Sequence, residues 1–327
     1  MRVHGRAVAG SAVLVLTLAC EHPTRVPSEP VAQVQALTST GVEWSEPVNL
    51  GPVVNSAANE QNPTLSRDRL ALYFSSNRPG GAGPLDIWVS RRGCTNADDP
   101  ACAWHAPVIL SSVINGPGAD FASNLSIDGH LLFFSSVRPD GFGGADIYLS
   151  HRADPKDDFA WEPAVLLGAD VNTATNDNAP MYLQSVEDGS ANLYFNRGLN
   201  ALQQADIYVA AVRRDGVTLG PAAPVNELNL PNVNDAAVTV SVNGRELMFW
   251  STRDGGLGGA DLWKSTRQTV HELWSPPVNL GAPLNSASDD VTPTLSFDGR
   301  TLIFASNRPG GSGGNDLWMS TRTRNGH

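Results

Sequence analysis

Five aspartates, Asp86, Asp146, Asp206, Asp261 and Asp316, recur along the chain at intervals of 60, 60, 55 and 55 residues. A second set of acids keeps step with them: Glu60, Asp120, Asp177, Asp235 and Asp290. In four repeats an Arg follows, at Arg78, Arg138, Arg253 and Arg308. Asn55, Asn115, Asn172 and Asn285 each stand five residues before an acid of the second set. Carboxylates with amide neighbours are the hard oxygen ligands that Ca²⁺ prefers. The second set is therefore the candidate ligand site, with Ca²⁺ the one cofactor the pattern suggests. A structural reading competes with it. A residue type found in every repeat serves a need that every repeat shares, here an Arg–carboxylate pair that fixes a loop. On that reading the four Arg residues and Asp86, Asp146, Asp206, Asp261 and Asp316 are loop-fixing. The acids that the Arg residues leave aside would face a common mouth.

Nucleophilic catalysis finds no anchor. The seven His residues are scattered, and no GxSxG elbow is present. Paired carboxylates suit glycoside hydrolysis, but acid and base must differ in environment. Near-identical repeats supply near-identical acids, so no catalytic residue is assigned.

The elements that position these residues are strands. "PTLSRDRLALYFSSNRPGGAGPLDIWVS" and "PTLSFDGRTLIFASNRPGGSGGNDLWMS" are copies of one unit, with three more copies between them. The third copy lacks the Gly-rich loop, and its Arg197 falls two residues after Phe195 instead of four. Between copies recurs a second piece, "WSEPVNL", "WHAPVIL", "WEPAVLL" and "WSPPVNL". Each unit holds four short apolar runs bounded by turn residues, and Asp-Gly or Asn-Gly marks a tight hairpin between the first two. The Gly-rich loops call for positive φ and close backbone approach rather than phosphate binding, because no helix follows them. Four antiparallel strands repeated in this way predict a propeller blade. The chain begins with a fourth strand at Trp44–Leu50 and ends with a third at Asp316–Ser320, so the N-terminal strand completes the last blade. The predicted fold is all-β, a five-bladed β-propeller of four-stranded antiparallel blades over residues 42–320, with 321–327 a disordered tail. Seven of the Trp residues recur at blade positions and predict inter-blade packing. Trp250 does not: Ser75, Ser135 and Ala305 stand at its equivalents.

The unit LSxDGxxLxFxSxRPGGxGGxDIW resembles the WD-like propeller repeat of the TolB type, over roughly residues 42–320. The resemblance implies an exported bacterial propeller of the kind used in scaffolds and partner-binding modules. The N-terminus agrees. Arg2, His4 and Arg6 precede a short apolar run that ends Thr17-Leu18-Ala19-Cys20. That order reads as a signal peptide over 1–20 with Cys20 lipidated, followed by a flexible tether over 21–41. Cys94 and Cys102 predict a disulfide, as spare cysteines of an exported chain do. The chain carries 33 acidic against 22 basic residues, a net charge of −11, which repels nucleic acid and anionic membrane faces. The expectation is a monomeric, non-catalytic binding or scaffolding propeller. It would be lipid-anchored in the periplasm or outer membrane, and its partner would be an envelope protein or a glycan. The alternative is a glycoside hydrolase-like enzyme with carboxylates at the central channel.

Overall fold

In the computed structural model, residues 43–96, 99–198 and 204–323 are described. Cys20, the leader over 1–20 and the tether over 21–41 lie outside them, as does the end of the tail, 324–327.

Twenty strands form five four-stranded antiparallel sheets. The first strands are β2 (Glu60–Leu65), β6 (Asp120–Leu125), β10 (Asp177–Gln184), β14 (Asp235–Val240) and β18 (Asp290–Leu295). The second are β3 (Ala71–Ser76), β7 (Leu131–Ser136), β11 (Ala191–Arg197), β15 (Glu246–Ser251) and β19 (Thr301–Ser306). The third are β4 (Asp86–Arg91), β8 (Asp146–His151), β12 (Asp206–Val212), β16 (Asp261–Thr266) and β20 (Asp316–Thr321). The fourth are β5 (Val108–Ile109), β9 (Val165–Leu166), β13 (Ala223–Pro224), β17 (Val278–Asn279) and, for the last blade, β1 (Val48–Asn49). Helix is confined, among the described residues, to one 3₁₀ turn at Pro100–Cys102.

The hairpins form where the sequence predicts. Asp128, Asn243 and Asp298 accept a hydrogen bond from the backbone two residues on, closing Asx turns. Gly129, Gly244 and Gly299 follow at φ 77°, 69° and 69°. Blade 1 lacks the Gly, and Arg69 takes the left-handed conformation in its place, at φ 60°.

The core lies between blades, not within them. Each hydrophobic cluster mixes residues of two neighbouring blades, as where Phe133 and Leu149 of blade 2 meet Tyr182 and Leu193 of blade 3. One blade cannot bury its own faces, so stability comes from stacking neighbours around the ring. Closure is as the element order requires. Val48 and Asn49 pair with Met319 and Trp318. This pairing covers the edge of β20, which would otherwise be open to other chains. The propeller also runs past residue 320. Thr321 belongs to β20, and Arg322 bridges to Trp44 and donates to both oxygens of Glu246 in the neighbouring blade. The expected tail thus begins later than 321. On the hairpin face, the Cys94–Cys102 disulfide is formed.

Candidate functional site

The repeated residues form a framework, and it differs from the expected one. Each acid of the first strands is fully buried, at 0% exposure. One carboxylate oxygen takes a guanidinium: Arg78 on Glu60 at 3.0 Å, Arg138 on Asp120 at 3.3 Å, Arg253 on Asp235 at 2.5 Å and Arg308 on Asp290 at 2.5 Å. The other accepts a backbone N–H from the preceding loop, as from Ser56, Gly116, Thr173, Leu230 and Ser286. The set expected to ring an open mouth as a Ca²⁺ or ligand site is therefore saturated by its own blades and closed off from solvent. Burying a carboxylate demands such pairing.

The same Arg residues tie the blade in two further ways. Each guanidinium donates to a loop carbonyl, that of Val54, Ile114, Leu228 or Leu284. Each also lies over two aromatic rings, such as Phe249 and Trp263 for Arg253 at 5.0 and 5.2 Å. Blade 3 reaches the same end from another position. In its neighbours a Ser stands between the two acids, as Ser76 stands between Glu60 and Asp86. In blade 3 Arg197 occupies that place, bonds Asp177 at 2.7 Å and the Val171 carbonyl at 2.7 Å, and stacks on Phe195 and Tyr208.

The third-strand aspartates bind the backbone of the Gly-rich loops, and they do so without the Arg. Asp146 accepts from the N–H groups of Phe142 and Gly143, Asp261 from Leu257 and Gly258, and Asp316 from Ser312 and Gly313. Asp86 accepts from Gly83. The carboxylate sits where a side chain would be: a Cβ on Gly256 would lie 1.7 Å from Asp261 Oδ2. Burial raises the pKa of Asp86 and Asp146 despite these bonds. For Asp206 the two loop positions that would donate, 202 and 203, lie outside the described residues. Its side chain is partly exposed, and no group among the described residues hydrogen-bonds its carboxylate. Burial, and then the charge of Asp235, raise its pKa.

The asparagines staple blade to blade. Asn115 accepts from the Ile87 N–H and donates to the Ile87 carbonyl, and Asn172 and Asn285 repeat this on Ile147 and Leu262. Asn55 does so on Leu317 across the closure. Asn229 is the fifth, on Ile207. The fixed five-residue spacing hides it, because its loop is one residue longer.

The accessible site lies inside the ring. A bowl of about 370 Å³ opens at the channel end that faces the Gly-rich loops. Its wall takes one residue from each blade just after the buried acid: Gln61, Phe121, Asn178, Ala236 and Val291. Asn176, Asn196 and Trp250 add to it. No lining residue is charged. Every first strand carries a bulge here, with a non-glycine residue at positive φ: Asn62 (51°), Ala122 (51°), Ala179 (51°), Ala237 (49°) and Thr292 (48°). Left-handed backbone costs an L-residue roughly 1–2 kcal/mol. Neighbouring blades hold it: Ser75 Oγ, Ser135 Oγ and Asn196 Oδ1 accept from the N–H groups of Ala122, Ala179 and Ala237. A bulge re-aims the flanking side chains, and here they turn into the bowl.

The bowl positions are where the repeats disagree. After the acid stand Gln, Phe, Asn, Ala and Val, and at the Trp250 position stand Ser, Ser, Asn, Trp and Ala. The framework is constant, while the wall differs in every blade. Blade 3 supplies a cluster of amides, and blades 2 and 4 supply rings.

No protein-family model matches the chain, and no curated protein matches it. Solved structures do. An α-L-arabinofuranosidase from Lactobacillus brevis is 15% identical, over 83% of this chain and 92% of that one, with a TM-score of 0.56. An arabinanase from Bacillus subtilis is 14% identical, over 83% and 96%, at 0.56. An α-L-arabinofuranosidase from Podospora anserina, in complex with cellotriose, is 11% identical, over 85% and 97%, at 0.53. At these identities the likeness is one of fold. It nonetheless corrects the expected function. The non-catalytic scaffold was drawn from the company the propeller keeps, and that company is mostly glycoside hydrolases. The repeat's resemblance to the TolB type stands as a resemblance of propeller architecture.

Proposed function

We propose that the protein is a carbohydrate-directed propeller of the glycoside hydrolase kind, which takes a neutral saccharide unit into the bowl. One observation carries this reading: the wall that breaks the five-fold repeat is uncharged, and the adjacent blades 3 and 4 bring amides and an indole together in it. Asn196 is spent on Asn178 and Ala237, but the Gln61 amide in the wall offers donor and acceptor together, which suits vicinal hydroxyls, and an aromatic face packs against the C–H face of a sugar ring. The volume falls in the roughly 300–1,000 Å³ range of small-molecule sites.

Hydrolysis needs a carboxyl group that keeps its proton. Asp206 is suited to it: partly exposed, with its pKa raised by burial and by Asp235. Its register partner is Arg197, beside the bowl residue Asn196. In this role its proton passes to the leaving glycosidic oxygen, water adds to the anomeric carbon, and the proton that water releases restores the acid. Export through the leader over 1–20, with Cys20 lipidated, places this bowl where extracytoplasmic glycans are met.

The test is calorimetric titration with neutral arabino-, xylo- and cello-oligosaccharides, with reducing-sugar release measured alongside. One series is expected to bind. Trp250→Ala should weaken it at least about tenfold, while Asp206→Asn should abolish release and spare binding. Failure of every series to bind, or binding indifferent to Trp250→Ala, refutes the reading.

A further inference from the structure

We propose that the rim of blade 4 carries a second recognition site, a groove for an extended peptide that bears apolar side chains and a basic one. The groove measures about 740 Å³ and shares no lining residue with the bowl.

Its walls come from two places where blade 4 departs from the repeat. The loop before β14 reads Leu230-Pro231-Asn232-Val233, where the other blades have Ser, Ala, Gly, Thr or Pro. This is the loop lengthened by one residue, and Asn232 turns it at φ 66°. Leu230 is left 45% exposed, an apolar side chain with nothing of its own blade over it. Opposite stand Pro276 and Pro277, the one Pro-Pro pair that leads a fourth strand.

Charge selects the occupant. Glu227 and Asp254 stand on the groove. Arg253 lines it too, but its guanidinium is bound to Asp235 and stacked on Phe249 and Trp263. The free charge is therefore negative, which complements Lys or Arg. The floor excludes a glycan. Trp263 and Trp274 are 7% and 5% exposed, with Arg253 over one ring and Arg267 over the other, so neither offers a face to a sugar. Aliphatic and proline walls above buried indoles, with acids at the edge, fit a peptide of alternating apolar and basic character.

The experiment selects peptides from a random dodecapeptide display library on the full chain, then measures the synthesised peptides by fluorescence anisotropy. Enrichment of Lys or Arg beside Leu, Val or Pro is expected. Affinity should fall about tenfold in the double variant Glu227→Gln/Asp254→Asn, and also in Leu230→Ser, with melting unchanged in both. Trp250→Ala should leave it alone, which separates this groove from the bowl. No enrichment, enrichment of acidic peptides, or binding untouched by these substitutions overturns the proposal. So does an oligosaccharide whose binding is lost in Leu230→Ser, which makes the groove part of a glycan site.

Discussion

Arg253→Met is the sharpest test of the framework. Met keeps the bulk of the stem and removes the charge. In the native blade the guanidinium donates to Asp235 at 2.5 Å, to the Leu228 carbonyl at 2.6 Å and to Ser251 at 2.9 Å. Without it Asp235, at 0% exposure, keeps the Leu230 N–H alone. Removing one partner of a buried pair costs about 3–5 kcal/mol. For a domain of this size each kcal/mol lowers Tm by about 2–4 °C, so a fall of roughly 6–20 °C is expected in a thermal melt. Asp235→Asn in the same background should restore part of it, because the stranded charge is then gone. The double-mutant cycle separates this coupling from lost packing on Phe249 and Trp263. A rearranged blade adds a second arm. Ser251→Arg with Arg253→Ser copies the placement that Arg197 uses in blade 3, and it should recover stability over Arg253→Met. A melt of Arg253→Met within about 2 °C of the parent, or no relief from Asp235→Asn, refutes the reasoning.

Two aspartates should respond to pH with opposite sign. Burial pushes Asp158 up, but hydrogen bonds from Arg91 and Tyr73 and the charge of Arg91 hold its carboxyl below the usual range. The stability it lends is present above the unfolded value of about 3.9 and is lost as pH falls through the folded one. Asp158→Asn, which strands the buried Arg152, should cost about 3 kcal/mol at pH 7 and little in strong acid. Asp206 is raised, so its ionised form weighs against the fold, and Asp206→Asn should melt higher than the parent at pH 7 and level with it below about pH 4. Melts from pH 3 to 8 check both. Gly256→Ala should cost roughly 1–3 kcal/mol through the clash with Asp261. Gly220→Ala, with nothing within 4 Å of the added carbon, should cost far less in the same melt.

The fold was legible because a propeller repeats its needs. Spaced aspartates, Asp-Gly turns and a fourth strand at the start of the chain specify blade number and closure. The partners within the framework were harder to read. Two acids per blade compete for one Arg, and only three-dimensional geometry shows the first-strand acid taking it while the third-strand acid takes backbone N–H groups. Spacing rules also fail where the chain solves one problem by two routes. Arg197 reaches Asp177 from the position of a Ser, and Asn229 staples Ile207 from a loop one residue longer. The bowl was nearly invisible. The residue after each first-strand acid is different in every blade, and the bulges that aim these side chains leave no mark in a pattern of alternating residues. Trp250 alone stood out, as an aromatic without equivalents, and it lies in the wall.

That contrast has a physical basis. A five-fold ring of identical residues presents a ligand with five equivalent contacts, which suits an ion on the axis and little else. The identical residues here are buried and saturated, so nothing on the axis can use them. A saccharide has unlike faces and hydroxyls at unequal heights, and its recognition requires a wall that differs from blade to blade. The chain meets both demands by separating them along each first strand. Position one is an acid fixed to its Arg. Position two, beside the bulge, varies from Gln to Phe to Asn to Ala to Val. The bulge lets adjacent residues serve both purposes, because it breaks the alternation that would otherwise commit them to fixed sides of the sheet. On this account a substitution at position two, such as Gln61→Ala, should alter ligand choice while leaving Tm nearly unchanged. The neighbouring Glu60→Ala should unfold the blade without informing on the ligand at all.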